Sequence, residues 1–98
     1  MTGTGTGAWK LENMEPCNLP ERVATGFTEL FNPLTGASYM PVLYCAEQLV
    51  NGTNHMLICK QTLSTAQPIE HLTKVIIHEP LPKNPSDEWS IKSIEALI

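Results

Sequence analysis

Only one segment of this chain repeats its apolar residues with a helical period. Val23, Phe27, Leu30 and Phe31 fall on one helical face, and Asn32-Pro33 stops the run before Leu34 to Gly36 turns the chain. Upstream, Asn18 can cap free amides, Pro20 suits a first turn and Glu21 can complete a capping box, which predicts a helix beginning near Leu19. Everything after Gly36 is β-branched, aromatic and alternating. Tyr39 to Val50, Asn54 to Leu63, Ile69 to His78 and Trp89 to Leu97 read as strands, and Ala8 to Leu11 as a short first strand with Trp9 and Leu11 on one face. One helix beside a run of consecutive strands predicts an α+β fold, the helix packed on a consecutive antiparallel sheet of four to five strands.

The connections refine this reading. Asn51-Gly52 separates the first two long strands and suits the positive φ angles of a tight hairpin, so those strands are expected to be antiparallel neighbours. With Val50 and Thr53 flanking a two-residue turn, Cys45 would face Ile58 and Cys59 would face Tyr44. The two thiols would then lie on opposite sheet faces, although a single bulge would shift that register. Ser64 to Pro68 and Pro80 to Asp87 are the remaining loops; Pro80, Pro82 and Pro85 make the second stiff and exclude a central strand there. A length of 98 residues suits one domain spanning 1–98, with Met1 to Gly7, three Thr-Gly steps, as a flexible leader.

Charge and composition narrow the function classes. The formal net charge of -4 is spread without blocks of one sign, so neither a nucleic-acid footprint nor a membrane-docking surface is expected. No apolar run approaches a membrane span, and the N-terminal residues lack the pattern of a secretory signal. Cys17, Cys45 and Cys59 are odd in number and lack metal-ligand spacing, which points away from a disulfide framework or zinc site and towards a reducing, cytoplasmic location, or a secreted one if the chain is a processed form. His55, His71 and His78 are scattered and read as ordinary surface or strand residues. No nucleophile motif, phosphate-binding glycine loop or recognisable carboxylate pair is present, so catalysis, a metal and a cofactor are not expected.

Gln48-Leu49-Val50-Asn51-Gly52 matches the Q-x-V-x-G pattern that marks the first hairpin loop of the cystatins, and Thr53-Asn54 is similar to its usual continuation. The likeness extends over nearly the whole chain in element order and length. Leu81-Pro82 resembles the second hairpin loop of the stefins, the cystatins without signal peptide or disulfides. The resemblance implies a cystatin-like fold and a reversible, non-covalent, tight-binding inhibitor of papain-like cysteine proteases of the cathepsin type. Its binding wedge would comprise the leader around Gly7, the loop Gln48, Leu49, Val50, Asn51 and Gly52, and the loop Leu81-Pro82. The residues suit that role: a glycine-centred turn gives a narrow preformed tip that loses little entropy on docking, and Leu49, Val50 and Leu81 offer apolar contact. Pro80 and Pro82 fix φ and hinder an extended, cleavable conformation.

The chain departs from the family pattern in its short helix stopped by Pro33, its separated leader glycines, and Trp89, which follows Glu88 rather than a proline and reads as core or sheet surface. A cystatin-fold binding or structural module without inhibitory activity is the alternative, since fold does not fix function. A monomer is expected, although edge strands and a mobile leader also suit a domain-swapped dimer.

Overall fold

The computed structural model describes residues 9–82 and 87–98. Gly7, with the rest of the expected leader, lies outside the described residues, as does the segment 83–86 of the proline-rich loop. In chain order the elements are α1 (Glu21–Phe31), β1 (Ala37–Val50), β2 (Gly52–Leu63), β3 (Ile69–Glu79) and β4 (Ser90–Ala96). The strands form one antiparallel sheet in the order β1-β2-β3-β4, with α1 packed on one face, which is the α+β arrangement expected. Among the described residues the sheet has four strands, within the four to five expected; of the short strand expected over Ala8 to Leu11, Ala8 lies outside the described residues, Trp9 to Leu11 form none, and Trp9 is largely exposed.

The helix starts later than expected. Pro20 occupies the N-cap position at φ -52° and ψ 142°, and no side chain caps the first turn, so the box proposed for Asn18 and Glu21 does not form. The proline ring disfavours helical geometry at the preceding Leu19, so the chain enters the helix only at Pro20, whose carbonyl accepts the Ala24 N–H at 2.9 Å. At the other end Asn32 donates its N–H to the Thr28 carbonyl at 2.9 Å, and Pro33 ends the element.

Alternation on the strands builds the core. His55, Leu57 and Cys59 of β2 and Thr73, Val75 and Ile77 of β3 are buried on the helix-facing side, while their neighbours point outwards and remain partly exposed. Against them α1 buries Val23, Gly26, Phe27 and Phe31. Phe27 stacks on Phe31 with ring centroids 4.3 Å apart, and Phe31 meets Tyr39 edge-on at 4.9 Å. Each fully buried aliphatic side chain, such as Leu57 or Ile77, contributes roughly 1.5–3 kcal/mol.

The β1–β2 register differs from expectation. Val50 lies opposite Gly52 and Leu49 opposite Thr53, so the chain reverses at Asn51 without a two-residue loop. Of Asn51 and Gly52, only Gly52 has positive φ, at +103°, whereas the mirror-image two-residue turn requires positive φ at both central positions. Two irregularities then shift the pairing, one between Pro41 and Leu43 and one between Tyr44 and Ala46. Cys59 consequently pairs with Pro41 rather than Tyr44, and Cys45 sits unpaired in the second bulge rather than opposite Ile58.

Trp89 precedes β4 and fills the space between helix and sheet. A Cβ on Gly26 would lie 2.5 Å from Cε3 of the indole, so glycine is required there for close approach rather than for backbone freedom. Gly26→Ala would ordinarily stabilise a helix by about 1 kcal/mol. Here the methyl must displace a packed ring, and the substitution is expected to lower unfolding free energy by about 1–3 kcal/mol in a denaturant titration.

Candidate functional site

The first hairpin and the loop after β3 emerge side by side at one end of the sheet. Gly52 is buried at this junction, where an added Cβ would fall closer than 3.0 Å to the Glu79 carbonyl oxygen and the His78 ring. The chain continues from Glu79 directly into Pro80-Leu81-Pro82, so the hairpin meets β3 at the point where the second expected loop begins. At the tip Leu49 is 81% exposed, Val50 48% and Leu81 36%. Apolar side chains this open to water, on a turn fixed by strand pairing, form a narrow apolar prow. Gln48 and Asn51 are also exposed, as is Pro82. Of the residues assigned to a wedge, the structure thus gathers Gln48, Leu49, Val50, Asn51, Gly52, Leu81 and Pro82 at one end. Gly7 falls outside the described residues.

Side-chain hydrogen bonds brace the hairpin base on both sheet faces. On the outer face Asn54 donates from Nδ2 to Oε1 of Gln48 at 3.1 Å, and its Oδ1 accepts from Nδ1 of His78 at 2.8 Å. This chain runs across β1, β2 and β3 immediately below the tip. It fixes Gln48, the first residue of the motif, by a bond to a neighbouring strand.

The inner brace was not legible in the sequence. His55 is fully buried, yet both ring nitrogens are partnered: Nε2 lies 2.9 Å from Oε1 of Glu79, and Nδ1 2.7 Å from the Tyr44 hydroxyl. The other Glu79 oxygen accepts from Nε of Arg22 at 2.6 Å, which ties the start of α1 to the end of β3. Glu47 extends the network outwards, its Oε2 3.3 Å from the Tyr44 hydroxyl and 4.0 Å from Nδ1 of His55. Trp89 lies on the imidazole at an interplanar angle of 11°, with ring centroids 5.7 Å apart.

Electrostatics follow from these neighbours. Burial acts to raise the Glu79 carboxyl, but the hydrogen bonds and charges of Arg22 and His55 prevail and hold it below the ordinary carboxylate range. The ionised carboxylate can only accept, so Nε2 of His55 carries a proton and, in the neutral ring, Nδ1 accepts from the Tyr44 hydroxyl. Burial, followed by the charge of Glu47, raises the Tyr44 phenol. Among the described residues no buried side-chain nitrogen or oxygen lacks a partner, and no group of three or more His, Cys, Asp or Glu is placed to hold a metal ion.

The cysteines are all free, with Cys45 exposed, Cys17 half-buried and Cys59 buried. Burial pushes the Cys59 thiol up to about 12, which suppresses its thiolate. No family model matches this chain, and no curated protein or solved structure does so either.

Two outcomes are expected. Iodoacetamide applied to the folded protein should modify Cys45 and spare Cys59, as read by mass spectrometry of peptides. Glu79→Gln should reduce unfolding free energy near neutral pH by about 1–2 kcal/mol, because it weakens hydrogen bonds made to a charged group. A carboxylate whose folded value is depressed stabilises above its unfolded value and loses that contribution as pH falls through the folded one. The gap between wild type and Glu79→Gln should therefore close in acid, as denaturant titrations across the pH range would show.

Proposed function

We propose that this chain is a reversible, non-covalent inhibitor of papain-like cysteine proteases, on a cystatin-like fold closest to the stefins. The observation that carries the reading is the juxtaposition of Leu49, Val50 and Leu81, exposed and apolar, on two adjoining loops at one end of the sheet. A turn whose only left-handed residue is Gly52, within the Q-x-V-x-G match Gln48 to Gly52, supports it. So does the bracing of Gln48 through Asn54 to His78.

In this mechanism the loops enter the protease cleft as a wedge and occlude the reactive thiol without presenting a scissile bond. Binding free energy comes from drying Leu49, Val50 and Leu81 against the cleft walls, at roughly 1.5–3 kcal/mol for each side chain fully buried. The preformed hairpin reduces the entropy lost on docking. Pro80 and Pro82 lack the backbone N–H groups through which an extended substrate pairs with a protease cleft, which disfavours cleavage of the second loop. Gly7 and the leader would add a third contact beside the two loops. The protein requires no cofactor and turns over no substrate in this role.

The test is a titration of active-site-calibrated papain, followed by hydrolysis of a fluorogenic peptide. Stoichiometric, reversible inhibition is expected. Leu49→Asp and Val50→Asp should each weaken it by roughly ten- to a hundred-fold or more, the equivalent of one lost apolar anchor, while leaving thermal stability near wild type. These exposed positions separate binding from folding, whereas a bulky residue at Gly52 would also collide with β3. Folded wild-type protein that inhibits neither papain nor cathepsin-type enzymes would overturn the reading in favour of a non-inhibitory binding module.

A further inference from the structure

His55 is a fully buried imidazole with a charged or ionisable partner on each side. The groups facing it come from every element packed around it: Arg22, acting through Glu79, from α1; Tyr44 and Glu47 from β1; Glu79 from β3; and the uncharged indole of Trp89 ahead of β4. The arrangement gives His55 two complete hydrogen-bonding states. In the neutral ring Nε2–H donates to Glu79, and Nδ1 accepts the Tyr44 proton. When the ring takes up a second proton, Nδ1–H donates to the Tyr44 oxygen and the phenolic hydrogen is released to turn towards Oε2 of Glu47 at 3.3 Å. No buried donor or acceptor is orphaned in either state, so the change does not require unfolding.

We infer that His55 is a positioning residue for the hairpin tip, whose protonation reverses the Tyr44 hydrogen bond and tethers Glu47, so that inhibition of the protease tightens as the solution becomes acidic. This rests on the inhibitory reading given above. Glu47 stands directly opposite His55 in the β1–β2 ladder and immediately precedes Gln48, so a tether on its side chain acts at the root of the wedge. Protonation also places a cation between two carboxylates, 2.9 Å from Glu79 and 4.0 Å from Glu47, drawing β1 and β3 towards the same ring. His78, in contrast, donates from Nδ1 to Asn54 whether neutral or charged, so the outer brace does not change with pH through this bond.

The linkage has a definite sign. The protease-binding hairpin is the tethered one, made by the doubly protonated ring, so the added affinity is present at low pH and lost as pH rises.

Two measurements test this. In the free protein, nitrogen and carbon shifts of the His55 ring and the backbone amide shifts of Leu49 to Gly52 are followed between about pH 5 and pH 8, the range in which imidazoles titrate. The neutral ring should carry its proton on Nε2, and the tip amides should follow the ring in wild type but not in Tyr44→Phe. Papain inhibition is then compared at about pH 5.5 and about pH 7.5, either side of the ordinary imidazole value, for wild type and Glu47→Gln in parallel, which cancels the protease's own pH dependence. Wild type should gain roughly two- to ten-fold in acid over Glu47→Gln, the range supplied by one modest hydrogen bond. Glu47 is exposed, so its variant retains the fold and keeps the test decisive where Tyr44→Phe loses stability. A ring that keeps one charge state, tip amides that ignore it, or equal pH ratios in wild type and variant would overturn the inference. Tip amides that follow His55 in a protein inhibiting papain at neither pH would overturn the inhibitory reading while supporting the switch itself.

Discussion

The stacking of Trp89 between Gly26 and His55 determines where the other parts of the molecule can lie. The indole rests on the imidazole and leaves no room for a side chain on the helix opposite. It therefore sets the spacing between α1 and the sheet at the end where the loops emerge. The imidazole beneath it is held in turn by Tyr44 and Glu79, and Glu79 is held by Arg22. Helix, first hairpin, third strand and the approach to the fourth are thus joined through one aromatic contact and one chain of hydrogen bonds. A buried imidazole is costly unless both nitrogens are satisfied, and here both are. The same set of residues packs the core and supports the candidate binding surface.

That support matters because the tip itself is apolar and open to water. Leu49 is largely exposed and Val50 about half exposed, so their placement depends on the hairpin base. Two braces on opposite sheet faces, Gln48–Asn54–His78 outside and Tyr44–His55–Glu79–Arg22 inside, supply this. Gly52 closes the arrangement by letting the hairpin touch the end of β3, from which the second loop leaves. A surface organised in this way pays its ordering cost during folding, before any partner arrives.

Local signals in the sequence revealed most of the architecture. The spacing of Val23, Phe27 and Phe31 located the helix, and the alternation beyond Gly36 located all four observed strands to within a few residues. Asn51-Gly52 marked the reversal, although Asn51 alone separates β1 from β2. The helix start shifted because the restriction that Pro20 places on Leu19 outweighed the capping chemistry available to Asn18. The bulges around Val42 and Cys45 changed the register because an inserted residue leaves no mark on an otherwise alternating strand. The inner brace was hidden for a different reason. Tyr44, His55, Glu79 and Arg22 are distant in sequence, each is ordinary alone, and only the antiparallel register brings them together. Similarly, Gly26 reads as a weak point in a helix until Trp89 is found against it.

The proposed inhibition rests on the loop surface, and the most direct measurement maps whether a protease touches it. Amide spectra of the labelled protein are recorded as papain lacking its nucleophilic thiol is added. Perturbations are expected to concentrate at Gln48 to Gly52 and at Leu81, with the outer sheet face around Met56 and Ile76 unmoved. Binding centred on that outer face with the loops undisturbed, or no binding by the folded protein, would contradict the proposed inhibition.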